Sequence, residues 1–326
     1  MSALDFVIYR ARYAAVIAVL TSLALLTLLF YSSGALHAKV LPELFSSFEQ
    51  LLGLVLLLIL TPSFLLAFLI TAQRRSMQFG QQVADSHLIQ EQPQAWLQPI
   101  RARVPLLGMT IGLVYALTVN MPLVWLVGFP QLGFQVQSIV IGQVFLWVVV
   151  GLTFSYRLHT ALSFNKVGKT VRRDVFDTSI YGPFAKNGLD DVFAITMLLA
   201  LTTLQALDAQ FRFENYMAAI LVAIPGAIIL FLLPMISVNR RLASHRADYL
   251  EEMNQQVSDA SRQVTPDSIQ HLELLLQHRD RIDRTRIWPI NMSISARLAF
   301  YLIIPPLAWL GAAFVEFGLV RMLGDP

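Results

Sequence analysis

The sequence predicts an all-α polytopic membrane protein of about seven transmembrane helices with a cytoplasmic helical hairpin. Three observations carry that expectation. Of 326 residues, 56% are hydrophobic and only 14% are charged, against about 25% charged in a soluble domain. The apolar residues gather into uncharged runs near the length, about 20 residues, at which a helix crosses roughly 30 Å of hydrocarbon. The basic residues then fall almost wholly on one side when the runs are threaded in alternation. A mean hydropathy of +0.60 agrees.

The first span is Tyr13–Tyr31. Arg10 and Arg12 before it and Ser33-Gly34-Ala35 after it imitate a signal peptide. Its apolar core is longer than the about 7–15 residues of a signal peptide, so it is read as an uncleaved span. The second span is Leu51–Ala72, the third Val104–Gly128, the fourth Ser138–Tyr156 and the fifth, the weakest, Val192–Leu207. The sixth is Tyr216–Val238 and the last Leu298–Val320. With the N-terminus in the cytoplasm, 21 of the 24 Lys and Arg residues lie inside, and only Lys39, Arg212 and Arg321 lie outside. Such a bias is the positive-inside pattern of a cytoplasmic membrane, and a bacterial inner membrane is the expected location.

Residues 1–238 thus form a six-span bundle with short cytoplasmic loops, 239–296 a cytoplasmic hairpin, and 297–326 a final helix that crosses or re-enters. In the hairpin, Leu242, Tyr249, Met253, Val257, Ala260 and Val264 recur at helical spacing. A second helix restarts after Thr265 as N-cap with Pro266 at its first position, and Ile269, Leu272, Leu275 and Leu276 form its apolar stripe. Asp280 and Asp283 are expected to pair with Arg284 and Arg279 at i, i+4. In the loop before the fifth span, Tyr181–Phe184 reads as a turn, and Asp190 and Asp191 read as acidic residues at a helix start. In the last span, Pro305 and Pro306 are a candidate hinge. Glu316 lies about 27 Å from Leu298 at 1.5 Å per residue, near the outer edge.

The chain has no cysteine, which excludes disulfides, thiol catalysis and Cys-bound metal. Gly168-Lys169-Thr170 imitates the end of a phosphate-binding loop, but Ser163 stands where the motif needs its first glycine. His271 and His278 are seven apart, too far for a one-helix chelate. No cofactor or metal is expected. The pI near 9.3 follows from the basic loops, so no nucleic-acid partner is inferred. Lys166, Lys169, Arg172 and Arg173 cluster beside the fourth span and are candidate contacts for anionic lipid headgroups. Asn120, Gln143, Thr202 and Gln205 are the polar residues expected to line a pore or join helices. As bounded above, no span carries a charge near its centre, which argues against an ion-coupled pump.

Three functions follow. The leading expectation is an assembly, sensory or scaffold protein that presents residues 240–284 to a protein partner or a second copy. The alternative is an oligomeric channel or passive transporter. The third is an interfacial enzyme acting on a lipid-linked substrate through Arg172 and Asp174.

Overall fold

Apolar helix-forming runs become helices that outlast the membrane. The computed structural model describes residues 12–37, 45, 47–86, 103–171, 178–206, 213–262, 266–284, 288 and 290–323, without the side chains of 120–127, 213–220 and 312–323 among others. Eight helices fall in this set. They are α1 (Ala14–Ser32), α2 (Phe48–Asp85), α3 (Arg103–Val127), α4 (Phe134–Gly168), α5 (Gly182–Leu201), α6 (Phe213–Ser261), α7 (Pro266–Asp283) and α8 (Met292–Leu323). Short 3-10 turns precede α4 and α5, and another, Thr202–Ala206, extends α5. No strand occurs among the described residues. Five helices are long and apolar enough to cross a membrane: α1, α2, α4, α5 with its extension, and α6 from Ala223. The described parts of α3 and α8, Arg103–Val119 and Met292–Pro305, are shorter apolar helices.

Helix ends correct several expectations. The 38 residues of α2 extend about 57 Å at 1.5 Å per residue, more than the roughly 40–45 Å of a bilayer with its headgroups. Ser47 starts it by accepting a hydrogen bond from the Gln50 N–H at 3.1 Å. The helix that holds the fourth span continues past Tyr156: α4 runs on to Gly168. The helix of the fifth span starts before Val192, at Gly182. Tyr181 to Phe184 is no separate turn, because Gly182 and Pro183 open α5, with proline in the first turn where its missing N–H costs nothing. Asp190 and Asp191 therefore lie two turns inside α5 and not at its start. Charged residues ended the apolar runs, but helices tolerate charge wherever a neighbour answers it.

α4 packs on α2, α3 and α6, and α5 packs on α2, α6 and α8. The closest approach is between α3 and α4. Gly108 and Gly112, four apart on α3, face Gly151 and the backbone of Trp147 on α4. A Cβ at Gly108 would sit 2.4 Å from the Gly151 carbonyl oxygen, and one at Gly112 2.1 Å from that of Trp147. Small residues at this spacing let helices meet backbone to backbone where lipid supplies no hydrophobic drive. Within α2, Pro62 removes one backbone donor. Next to it Ser63 Oγ lies 2.8 Å from the Ile59 carbonyl and 3.0 Å from Ser22 Oγ on α1, tying the two helices at the weakened turn.

α8 passes through Pro305 and Pro306 as one helix. α7 packs on α6. Arg246 Nη2 lies 2.6 Å from Asp283 Oδ1, and the Tyr249 and His278 rings are 6.3 Å apart. Asp283 is thus held by Arg246 across the helix pair, and Arg279, its expected partner, reaches Asn254 at 3.5 Å. Arg284 and Asp280 do approach, to 3.9 Å, at an exposed site. Leu272 and Leu275 are half-buried and Ile282 is buried, whereas Ile269 and Leu276 of the expected stripe are exposed. Thr265 lies outside the described residues.

Replacing Gly112 by leucine is expected to push α3 off α4 and cost about 1–3 kcal/mol of overpacking. Gly133→Ala, where a Cβ meets nothing within 4 Å, should leave stability unchanged. Unfolding in detergent micelles measures both.

Candidate functional site

The site is an intramembrane cavity closed at one end by a buried ion pair. Arg157 on α4 and Asp191 on α5 are each 1% exposed, and the guanidinium Nε and Nη2 both donate to the Asp191 carboxylate. A lone ion there would cost several kcal/mol after relaxation, so the remaining guanidinium groups need partners too. Nη1 donates to Ser76 Oγ on α2 at 2.8 Å. Nη2 also reaches the Asn187 carbonyl at 3.2 Å and its side-chain Oδ1 at 3.1 Å. The Phe68 ring lies 5.8 Å from the guanidinium carbon. Beside this pair, Arg75 Nη1 contacts Asp190 Oδ1 at 3.3 Å, and Thr160 Oγ1 contacts Gln73 Oε1 at 3.1 Å. Three helices are therefore joined by one polar network.

An apolar layer lies beyond the network. Val83, Phe164 and Phe184 are fully buried in one cluster with Tyr181, Met235 and Val238. Val83 follows Ser76 by seven residues, Phe164 follows Arg157 by seven, and Phe184 precedes Asp191 by seven. Two turns, about 10 Å, separate the layers on each helix, so the cluster seals the bundle on that side. The Phe164 and Phe184 rings meet edge to face, 5.5 Å between centroids.

On the other side of the ion pair opens a cavity of about 570 Å³, within the roughly 300–1,000 Å³ of small-molecule sites. Its walls come from α2, α3, α4, α5 and α6 and are mostly apolar: Leu57, Leu58, Leu65, Leu146, Trp147 and Ile195 among them. Arg157 and Asp191 form its charged end, and they are the only charged residues of the described lining. Gln143 and Gln205 also line it, each fourteen residues from the ion pair along its helix, or about 21 Å. Thr61, Thr153 and Gln143 are among the lining residues, each with a side-chain oxygen that is buried and has no hydrogen-bond partner among the described residues.

Of the residues proposed from sequence, Gln143, Thr202 and Gln205 share this cavity. The side chain of Asn120 lies outside the described set. Lys166 and Lys169 sit exposed at the end of α4, where the Lys169 carbonyl accepts from Arg241; Arg172, Arg173 and Asp174 lie outside the described residues. Pro305 is buried and does not line the cavity. The expectation that no span carries a charge near its centre did not anticipate a buried ion pair, Arg157 with Asp191, within the helices α4 and α5. They sat one residue beyond the drawn spans, 34 residues apart, with no local signal to pair them. Among the described residues, no cluster of three His, Asp or Glu side chains suits a metal.

Comparison of the chain with protein-family models, with curated proteins and with solved structures gives no match.

Removing one member of the buried pair, Arg157→Met or Asp191→Leu, is expected to cost about 3–5 kcal/mol in unfolding free energy, since each leaves an uncompensated charge. The double substitution should recover most of that loss, because no charge is left buried. A double-mutant cycle by chemical unfolding in micelles reads the coupling.

Proposed function

We propose that the protein is a passive transporter of the carrier type, which takes up an amphipathic solute in its intramembrane cavity and moves it between the two faces of the membrane. One observation carries this: a mostly apolar cavity that runs about 21 Å along the helices from the Arg157–Asp191 pair to Gln143 and Gln205. A continuous pore would need no seal. Here the Arg157–Asp191 network and the Phe164–Phe184 layer close one end, as a chamber that opens to one side at a time requires.

The topology proposed with it has seven crossings, α3 and α8 added to the five longer helices, in a bacterial inner membrane with the N-terminus inside. The positive-inside distribution supports this orientation. The sealed end is then cytoplasmic and the Gln143–Gln205 end is outer. Lys166 and Lys169 stand beside the inner leaflet, where anionic headgroups attract them.

A second reading keeps one specific support. α6 and α7 would form a cytoplasmic hairpin, and Ile269, Leu274 and Leu276 on α7 are exposed, a surface for a partner protein or second copy. Transport and partner docking are compatible, but only transport uses the cavity.

The test is movement of fluorescent amphiphiles between leaflets of vesicles holding the purified protein. Gly226 lines the cavity, and a Cβ there meets nothing closer than 3.9 Å, so Gly226→Phe should fill the space without moving backbone. Its expected effect is a tenfold or greater loss of transfer at unchanged thermal stability. Deletion of residues 243–283 should leave transfer intact; loss of transfer on that deletion, with Gly226→Phe still active, would favour the partner-docking reading.

A further inference from the structure

We propose that the cavity is entered sideways from the bilayer, through a seam between α3 and α6 at Phe154, and that what enters is the hydrocarbon chain of a membrane lipid. The seam is a property of the cavity walls; its use in moving lipid rests on the carrier reading.

The seam follows from helix packing. α3 packs on α4, and α6 packs on α4 and α5, but α3 and α6 share no comparable packing. They flank α4 and leave a strip of it between them. At about 3.6 residues per turn, Phe154 falls on that strip. To one side of it come Gly151 and Ser155, which face Gly108 of α3. To the other comes Arg157, buried in the polar network. Across the seam is Gly226 of α6, where a Cβ would stand 4.0 Å from the Phe154 ring.

Phe154 is both wall and surface. It lines the cavity and is 42% exposed, whereas Thr153 and Arg157, its neighbours in the lining, are buried. Its ring is therefore the partition between the cavity and the surroundings at this level.

Those surroundings are hydrocarbon. Phe154 lies twenty residues from Phe134 and twelve from Lys166, about 30 Å and 18 Å along α4, among lipid chains and away from headgroups. Leu107 and Ile111 on α3 and Ile224 and Ile228 on α6 are large, apolar and exposed, so both helices that bound the seam carry lipid-facing surfaces. An ion arriving by this route would have to shed its water at high cost; a lipid chain is already there.

The interior suits such a chain. From Phe154 the lining continues along Val150, Trp147 and Leu146 of α4, with Leu65 of α2 and Ile195 of α5. Phe154 to Leu146 is eight residues, an apolar wall about 12 Å long. The charged end makes no demand on the chain, because Arg157 and Asp191 answer one another. A lipid whose head sits near the Lys166 end of α4 would bring the middle of its chain to the seam and run its tip outward along this wall.

The test is photolabelling of the full-length protein in vesicles of phosphatidylcholine that carries a diazirine in one acyl chain, at mid-chain or at the tip. Adducts are mapped by mass spectrometry. Expected is an order: the mid-chain probe marks Phe154 and Ile195, and the tip probe marks Leu146 and Leu65. Gly226→Phe, which narrows the seam from the facing wall, should cut the interior adducts at least fivefold while those on exposed Ile111 and Ile228 stay unchanged. Ala223→Phe, one turn away on the same lining, replaces it if that variant does not fold.

The reverse order, tip at Ile195 and mid-chain at Leu146, would place the entrance at the other end of the cavity and overturn the inference. So would labelling confined to the exposed residues, or interior labelling that survives Gly226→Phe. Ordered interior labelling without leaflet transfer would sink the carrier and leave the seam; transfer without interior lipid adducts would sink the seam and leave the carrier.

Discussion

Burial of one guanidinium constrains the rest of this bundle. Arg157 presents donors in a fixed planar fork, and each donor direction must end on an acceptor. Asp191 meets one edge, Ser76 and Asn187 the rest. These acceptors come from two other helices, so the fork sets the rotation and height of α2 and α5 against α4 together. It also dictates length. α5 has to continue on the far side of Asp191 to carry Asn187, and α2 has to continue beyond its apolar run to carry Ser76. The helices are long because their charged and polar extensions are bound in a common network. Whether the pair adds net stability over an apolar replacement is a separate matter, since desolvation absorbs much of the Coulomb gain. Its consequence is a single register among three helices.

That register decides where the bundle is tight and where it is hollow. Toward the seal, α6 is pressed against both neighbours: a Cβ at Gly168 would meet Ser237 Oγ at 2.2 Å, and one at Gly188 would meet the Phe231 backbone at 2.7 Å. On the outer side of the ion pair the same helix stands away, and the space between is the cavity. A void of this size forfeits dispersion contacts along its whole lining, and its unpaired hydroxyls add a further cost. A sequence selected only for stability would fill it with larger side chains at Gly226 or Ala223. A small residue at Gly226, within a bundle that packs glycines backbone to backbone elsewhere, keeps that wall of the cavity open.

Much of this architecture was legible in the sequence, because membrane crossing is a constraint on length and charge that a linear reading captures. The apolar run of α2 needed no structure. Gln143, Thr202 and Gln205 were legible for the same reason, as amides and hydroxyls interrupting apolar runs. Arg157 and Asp191 were hidden by the rule that found the spans. A charge ends an apolar run, so an arginine inside a helix is read as the membrane edge, and its partner 34 residues on is read as the next edge. Thr61 and Thr153 were hidden differently. Threonine in an apolar helix commonly bonds its own preceding turn, as Thr71 does at 2.8 Å, and only coordinates show which ones do not.

A chamber sealed at one end has to open there for a carrier to work, and the backbone identifies the element able to yield. Proline removes one hydrogen bond from a helix and prises apart the turn before it. α6 contains two, Pro225 and Pro234, whose missing donors leave the carbonyls of Leu221 and Leu230 without their helical partner. Between those positions lie the residues that α6 gives to the cavity, Gly226 and Leu230, with Ala223 just before. Past Pro234 come Met235, Ser237 and Val238, which pack into the seal and against α4. The weakened stretch therefore begins where the cavity is and ends where the seal is. Bending there would draw Met235 and Val238 from the apolar layer while the α2–α4–α5 network stayed whole, so the seal can part without separating Arg157 from Asp191. Pro305 on α8 is buried and does not line the cavity. The prolines suited to a moving part are those of α6, because their loosened turns join the ligand space to the layer that closes it.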